Sequence, residues 1–305
     1  MLRAALWLIL SLVCARNTSA QRQIAITIDD LPRGGDTRAI TQADQLLDFT
    51  RRFLEPLKAA GVPFTGFVNE GRRGLSDSDL RAVLSFWLDA GAELGNHTHS
   101  HPDLNQISLE RFEDEVRRGE RITRPLAESK RRKYRYFRHP FLHTGLDMDK
   151  RRGSEAILKR LGYTIAPVTI DNSDYLYAQR YQQALDMGDT AHADRIAADY
   201  LRYMDEVTAF FERRSLEVTG REPAQILLIH ANHLNGVMMP RLLDMFRKRG
   251  YRIVPLEAAL QDKAYQLPDT YVGPQGISWI HRWARAKGMP DAWEPDPPKW
   301  LTAER

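Results

Sequence analysis

Five short stretches of this 305-residue sequence carry side chains able to activate water and move protons: Asp29-Asp30, His97-Thr98-His99-Ser100-His101, Arg138-His139-Pro140-Phe141, Asp171-Asn172-Ser173-Asp174-Tyr175 and Leu227-Leu228-Ile229-His230. Taken singly, each has an ordinary reading as a helix cap, a structural histidine or a surface guanidinium. The histidine run narrows the chemistry. If 97–101 were extended, His97 and His101 would lie about 13 Å apart at roughly 3.3 Å per residue and could not share an ion. On a helical turn, positions i and i+4 fall on one face, which suits two imidazoles on one metal, and Pro102 does not extend a central strand. His97 with His99, neighbours on one strand face, is the rival pair. An aspartate as third ligand would leave a position open to water and make a hydrolytic site. A nitrogen and oxygen donor set suits zinc and is compatible with manganese, cobalt or nickel.

These residues need a frame that brings them together. Short apolar runs alternate with amphipathic ones, which predicts an α/β fold with a largely parallel sheet. Strands are expected at 23–29, 64–69, 93–96, 134–138, 164–170, 225–230 and 251–255. Helices are expected at 41–60, 78–90, 109–127, 153–161 and 240–249, several closed by Gly61, Gly91, Gly162 or Gly250. The titratable groups then sit at the C-terminal ends of strands, where parallel α/β sheets and barrels place their active sites. Alternation alone fits both an open doubly wound sheet and an incomplete barrel. Residues 175–220, with a long helical segment at 190–217, form an insertion, and a Trp- and Pro-rich extension follows from 261 to 305. Trp279, Trp283, Trp293 and Trp300 are expected to pack that extension on the body.

Composition bounds the remaining possibilities. The chain is 43% hydrophobic and 28% charged, as expected of a globular protein. A formal charge of +4 from 44 basic and 40 acidic residues argues against nucleic acid as an obligate partner. Residues 1–20 combine Arg3, an apolar run and a Thr18-Ser19-Ala20 ending, the pattern of a secretory signal rather than a membrane span. Export to the periplasm or the exterior is expected. Cleavage there would remove Arg3 and Arg16 and no acid, taking +4 to +2, and would also remove Cys14, the single cysteine. A disulfide framework, a thiol nucleophile and a cysteine-ligated zinc are then excluded.

Together the five stretches resemble the polysaccharide deacetylase (NodB-homology) family, carbohydrate esterase family 4, over roughly residues 24–260 and in the family's order. The resemblance implies a distorted or incomplete (β/α) barrel of about seven parallel strands. It implies that Asp29 is the general base, that Asp30, His97 and His101 hold a divalent metal, and that His99 is a bystander. Arg138 would orient the base, the Phe141 backbone N–H would help hold the oxyanion, and Asp171 would orient His230, the general acid. The activity implied is metal-dependent removal of N-acetyl groups from a glycan such as peptidoglycan, a chitin-like oligomer or an exopolysaccharide. An O-acetyl esterase, another C–N hydrolase and a non-catalytic glycan-binding protein are the other readings.

Three positions depart from the family pattern. Leu31-Pro32 stands where a glycine is usual, His139 replaces a common proline, and Tyr175 replaces a common tryptophan. All three shape the cleft and so bear on substrate more than on reaction type. His143 and His233 also lie near the motifs and could take over an assigned role.

Overall fold

The computed structural model describes residues 21–36, 42–71 and 74–302. The expected leader at 1–20, with Cys14, lies outside these residues. In chain order the elements are β1 (Gln23–Leu31), α1 (Ala43–Ala60), β2 (Phe64–Val68), α2 (Asp77–Asp89), β3 (Glu93–Asn96), α3 (Leu109–Arg118), α4 (Thr123–Ser129) and β4 (Tyr136–Phe137). They continue with α5 (Met148–Arg160), β5 (Thr164–Ile165), α6 (Asp174–Asp186), α7 (Thr190–Thr219), β6 (Gln225–His230), α8 (His233–Lys248), β7 (Arg252–Ile253), α9 (Leu256–Ala259), α10 (Trp279–Ala286) and α11 (Lys299–Thr302).

All pairings between these strands are parallel, in the order β5-β4-β3-β2-β1-β6, with β7 also on β1. The seven-stranded sheet curls into an incomplete barrel flanked by helices. β1 shows why. Its sequence is apolar on both faces, as a central parallel strand requires. Ile24, Ile26 and Ile28 join the large core under the helices, whereas Ala25 joins a smaller cluster with Phe67, Tyr136, Ala166 and Ile226 inside the curl.

The predicted strand at 164–170 is interrupted. Pairing with β4 stops at Ile165, and Ile170 instead bridges Leu227 of β6. Between them Pro167 brings no N–H to a ladder, and the carbonyls are occupied from the side. Arg138 Nε donates to Ala166 O at 2.9 Å, and Trp279 N donates to Val168 O at 2.7 Å. The seam of the barrel is therefore closed by one guanidinium and by the C-terminal segment.

Helix boundaries also shift. The expected helix at 109–127 is two helices, α3 and α4, parted at Gly119. A Cβ on Gly119 would stand 2.6 Å from Thr98 C, so a residue with a side chain would push the histidine loop out of place. Glu70 then starts α4 by accepting the N–H groups of Ile122 at 2.9 Å and Thr123 at 2.6 Å. The helices predicted at 153–161 and 240–249 begin earlier, at Met148 and His233. In the insertion, α6 and α7 pack as an antiparallel pair through Tyr177, Tyr200 and Tyr203.

The C-terminal segment is partly interior. Trp283 is fully buried in the main core and Trp279 nearly so, while Trp293 and Trp300 remain partly exposed. Arg282 is fully buried.

Candidate active site

β1 ends in two carboxylates that diverge. Asp29 continues the strand, paired in register with His230 at the last rung of β6. Asp30 lies in the left-handed region at φ 66°, which turns its carboxylate out of the strand's alternation. Gly34 permits this turn, because a Cβ there would sit 2.1 Å from the Asp30 Cβ.

The histidine loop after β3 is an irregular turn and not the helical turn that i,i+4 spacing suggests. Thr98 and His101 have φ of 69° and 60° and fold the loop back on itself. The Thr98 hydroxyl accepts the His101 N–H at 3.1 Å. The outcome resembles that of a helix, with the His97 and His101 rings 4.9 Å apart. His97 Nε2 lies 3.6 Å and His101 Nε2 3.3 Å from Asp30 Oδ1. His99 points elsewhere and packs over Gly71, so it does not join this group. Left-handed backbone at a non-glycine residue costs on the order of 1–3 kcal/mol and persists where the surroundings over-determine it.

The donor set fits a divalent ion. Ligand atoms about 2.0–2.2 Å from a tetrahedral ion stand roughly 3.3–3.6 Å apart, which matches the two distances above. His97 Nδ1 faces the Arg138 carbonyl at 2.7 Å, which fixes the tautomer with Nε2 as the free donor. Burial, reinforced by the charge of His101, drives the His97 pKa well below its usual value and keeps the ring neutral as a ligand must be.

Arg138 joins the two halves of the site. Its Nη1 lies 3.4 and 3.3 Å from the Asp29 carboxylate oxygens, and its Nη2 donates to Thr27 Oγ1 at 3.0 Å. Burial pushes the Asp29 pKa up to about 6 while the guanidinium opposes the rise. Asp29 is thus a carboxylate near neutrality with raised basicity.

Across the cleft, His230 Nδ1 lies 2.7 Å from Asp174 Oδ1, and the other Asp174 oxygen accepts the His230 N–H at 2.8 Å. This corrects the expectation that Asp171 orients His230. Asp174 begins α6 and is fully buried, and Asn235 also donates to it at 2.6 Å. Burial alone would lower the His230 pKa, but the charge and hydrogen bond of Asp174 outweigh it and push the value up to about 10. Asp171 lines the same cleft and accepts the Asn172 N–H at 2.9 Å, and burial beside Glu294 raises its pKa to about 7. An aspartate at the start of a helical stretch, three residues after Asp171, is the signal in the sequence that could have marked Asp174.

The turn after β4 supplies the remaining wall. Phe141 and Leu142 have φ of 56° and 55°, and the Phe141 ring lies 4.5 Å from that of His101. The C-terminal segment clamps this turn. Arg282 Nη2 donates to Leu142 O at 2.7 Å and Nη1 to Thr144 Oγ1 at 2.9 Å. Gly276 passes so close that a Cβ would stand 1.7 Å from Phe141 O. His139 is buried with its ring stacked on Phe112, His143 pairs with Asp103 at 2.7 Å, and His233 packs against Tyr181. None of these three joins the Asp30, His97 and His101 group.

The polysaccharide deacetylase family model matches residues 16–166. The chain is 26% identical to a chitin deacetylase of Colletotrichum lindemuthianum over 231 residues, covering 73% of this chain and 79% of the relative. It is also 26% identical to a chitin deacetylase of Arthroderma benhamiae, covering 74% of this chain and 52% of that longer protein. The solved chitin deacetylase of C. lindemuthianum superposes with a TM-score of 0.53 at 24% identity, covering 80% of this chain and 89% of that one. That superposition establishes the shared fold.

Proposed function

Because this chain belongs to the polysaccharide deacetylase family, we propose that it hydrolyses the N-acetyl groups of an acetylated glycan at the cleft between β1, β3 and β6. The observation that carries the reading is the arrangement of a carboxylate base and a charged imidazole on one rung of two neighbouring strands, beside three converged metal donors. Asp30, His97 and His101 would hold a divalent ion, for which zinc fits the donors. Bound there, it would supply Lewis acidity toward an amide carbonyl and lower the pKa of water.

The protein's own groups do the rest. Asp29, with raised basicity and its carboxylate held by Arg138, takes a proton from the attacking water. The backbone N–H of Phe141 has the role of stabilising the oxyanion that forms as the amide carbon becomes tetrahedral. His230, kept protonated by Asp174, gives its proton to the departing amine. Asp171 lines the cleft beside it. An amide needs this acid more than an ester does, because an amine leaves poorly without a proton, so an imidazole backed by the Asp174 carboxylate favours N-acetyl over O-acetyl substrates. A purely glycan-binding protein would have no use for a base and an acid on either side of three metal donors.

In this reading the chain comprises a leader at 1–20 that directs export, a catalytic body at 21–260 with the insertion 175–220, and an extension at 261–305 that completes the cleft wall. No helix among the described residues is long and apolar enough to cross a membrane. The test is acetate release from N-acetylglucosamine oligomers and peptidoglycan fragments, with and without chelator and with zinc restored. Acetate that stops on chelation and returns with metal is expected. No acetate from fully metallated protein on any of them would overturn the reading.

A further inference from the structure

A second concavity of about 420 Å³ adjoins the reaction cleft, and the two share Gly276 and Glu294 as a common wall. Its other lining residues include His143, Pro274, Gln275 and Trp293, so apart from His143 it is built by the C-terminal segment, which lies beyond the stretch matched by the family model. The volume is within the range of small-molecule sites, and the shared wall makes the pair one continuous groove.

Two side chains give this groove chemical character. Trp293 is 48% exposed, whereas Trp279 and Trp283 of the same segment are 9% and 1% exposed. Its ring is braced by His281 at 5.1 Å and by the Arg285 guanidinium at 5.4 Å from the ring centroid, so a flat apolar face is held in place without being covered. The neighbouring Glu294 carboxylate is fixed by His281 Nε2 at 2.7 Å while still lining both concavities. A fixed aromatic face with an adjacent acceptor matches a pyranose ring, which offers a C–H face for stacking and hydroxyl donors at its edge. An aromatic ring fixed in advance loses little entropy on binding.

We infer that Trp293 and Glu294 form a subsite for a second sugar unit of the glycan, next to the unit whose acetyl group is removed. This rests on the glycan reading above and deepens it, because it makes the substrate an oligomer or polymer. Trp293 stacks on the neighbouring ring and Glu294 accepts a hydroxyl of it, which sets the register of the chain across the reaction centre.

The test uses the purified protein loaded with zinc. KM and kcat are measured on the N-acetylglucosamine tetramer and on a small acetyl ester that fills only the reaction centre, and tetramer binding is followed separately by intrinsic fluorescence. For Trp293→Ala, KM on the tetramer should rise on the order of tenfold or more at nearly unchanged kcat, with the ester unaffected and Trp293→Phe restoring most of the loss. Glu294→Gln should weaken tetramer binding by a few-fold, read from the fluorescence titration. Equal losses on tetramer and ester, or no change in tetramer binding in either variant, would overturn the subsite. Tetramer that binds the wild type through Trp293 without any release of acetate would leave the subsite standing and refute the deacetylase reading instead.

Discussion

On the β3 side of the cleft, His97 directs its Nδ1 at a peptide carbonyl, whereas on the β6 side His230 directs the same atom at a carboxylate. Both line one cleft, His97 fully buried and His230 with 18% of its side chain exposed. Burial lowers the His97 pKa well below 6.5, yet His230 is pushed up to about 10 because the Asp174 charge outweighs burial. The partner of one nitrogen therefore decides whether the ring is neutral or charged. The two carboxylates of β1 divide in the same way. Asp29 is held by a guanidinium and keeps the strand conformation, and Asp30 is turned at φ 66° toward the imidazoles.

The largest effects come from breaking the two sides separately. His97→Ala should lose both activity and bound metal, while Asp29→Asn should keep metal and lose turnover by about 10²- to 10⁴-fold. Metal analysis of the purified variants beside acetate release checks this, and wild-type metal content in His97→Ala would erase the distinction between the sides. Removing the partner on the acid side comes next. Asp174→Asn should lower kcat by roughly 10²-fold and shift the alkaline limb of the rate profile toward neutral pH. Histidine NMR titration would report the same fall in the His230 pKa. An unmoved limb would show that His230 is not held charged by Asp174.

The same pair makes a smaller prediction about stability. The His230 pKa is raised in the fold above its ordinary 6.5, so its contribution is complete below about pH 6.5 and is lost as pH climbs toward 10. Urea unfolding of the wild type should show that decline, and Asp174→Asn should flatten it. The smallest effect concerns the clamp on the Phe141 turn. Arg282→Lys cannot reproduce the fork that reaches both Leu142 O and Thr144, so kcat should fall about tenfold with KM little changed. An unchanged kcat would mean that the turn holds its shape without the clamp.

Much of this was legible in the residue order. The order of the strands, the apolar faces of β1 and the closing glycines follow from periodicity and backbone preference, and β3 and β6 have the expected ends, whereas β4, β5 and β7 are cut to two residues each. The convergence of Asp30, His97 and His101 could be anticipated as chemistry but not as geometry, since it depends on left-handed turns at Asp30, Thr98 and His101 that no local preference requires. Asp174 was obscured by Asp171, three residues earlier in the same stretch. Which of them meets His230 depends on how α6 packs against β6. The gap after Ile165 was hidden for a similar reason, because the groups that occupy its carbonyls come from Arg138 and Trp279, far away in the chain.

The pairing of Asp29 with His230 on one rung has an evolutionary consequence. Neighbouring strands stand about 4.7–4.9 Å apart, a spacing held by the sheet's hydrogen bonds and not by any loop. In the proposed mechanism, base and acid therefore keep their separation under changes in the cleft walls at 142–145, 175–187 and 274–294. A lineage built on this frame can acquire new sugars by changing its walls and inherit the bond-breaking step intact.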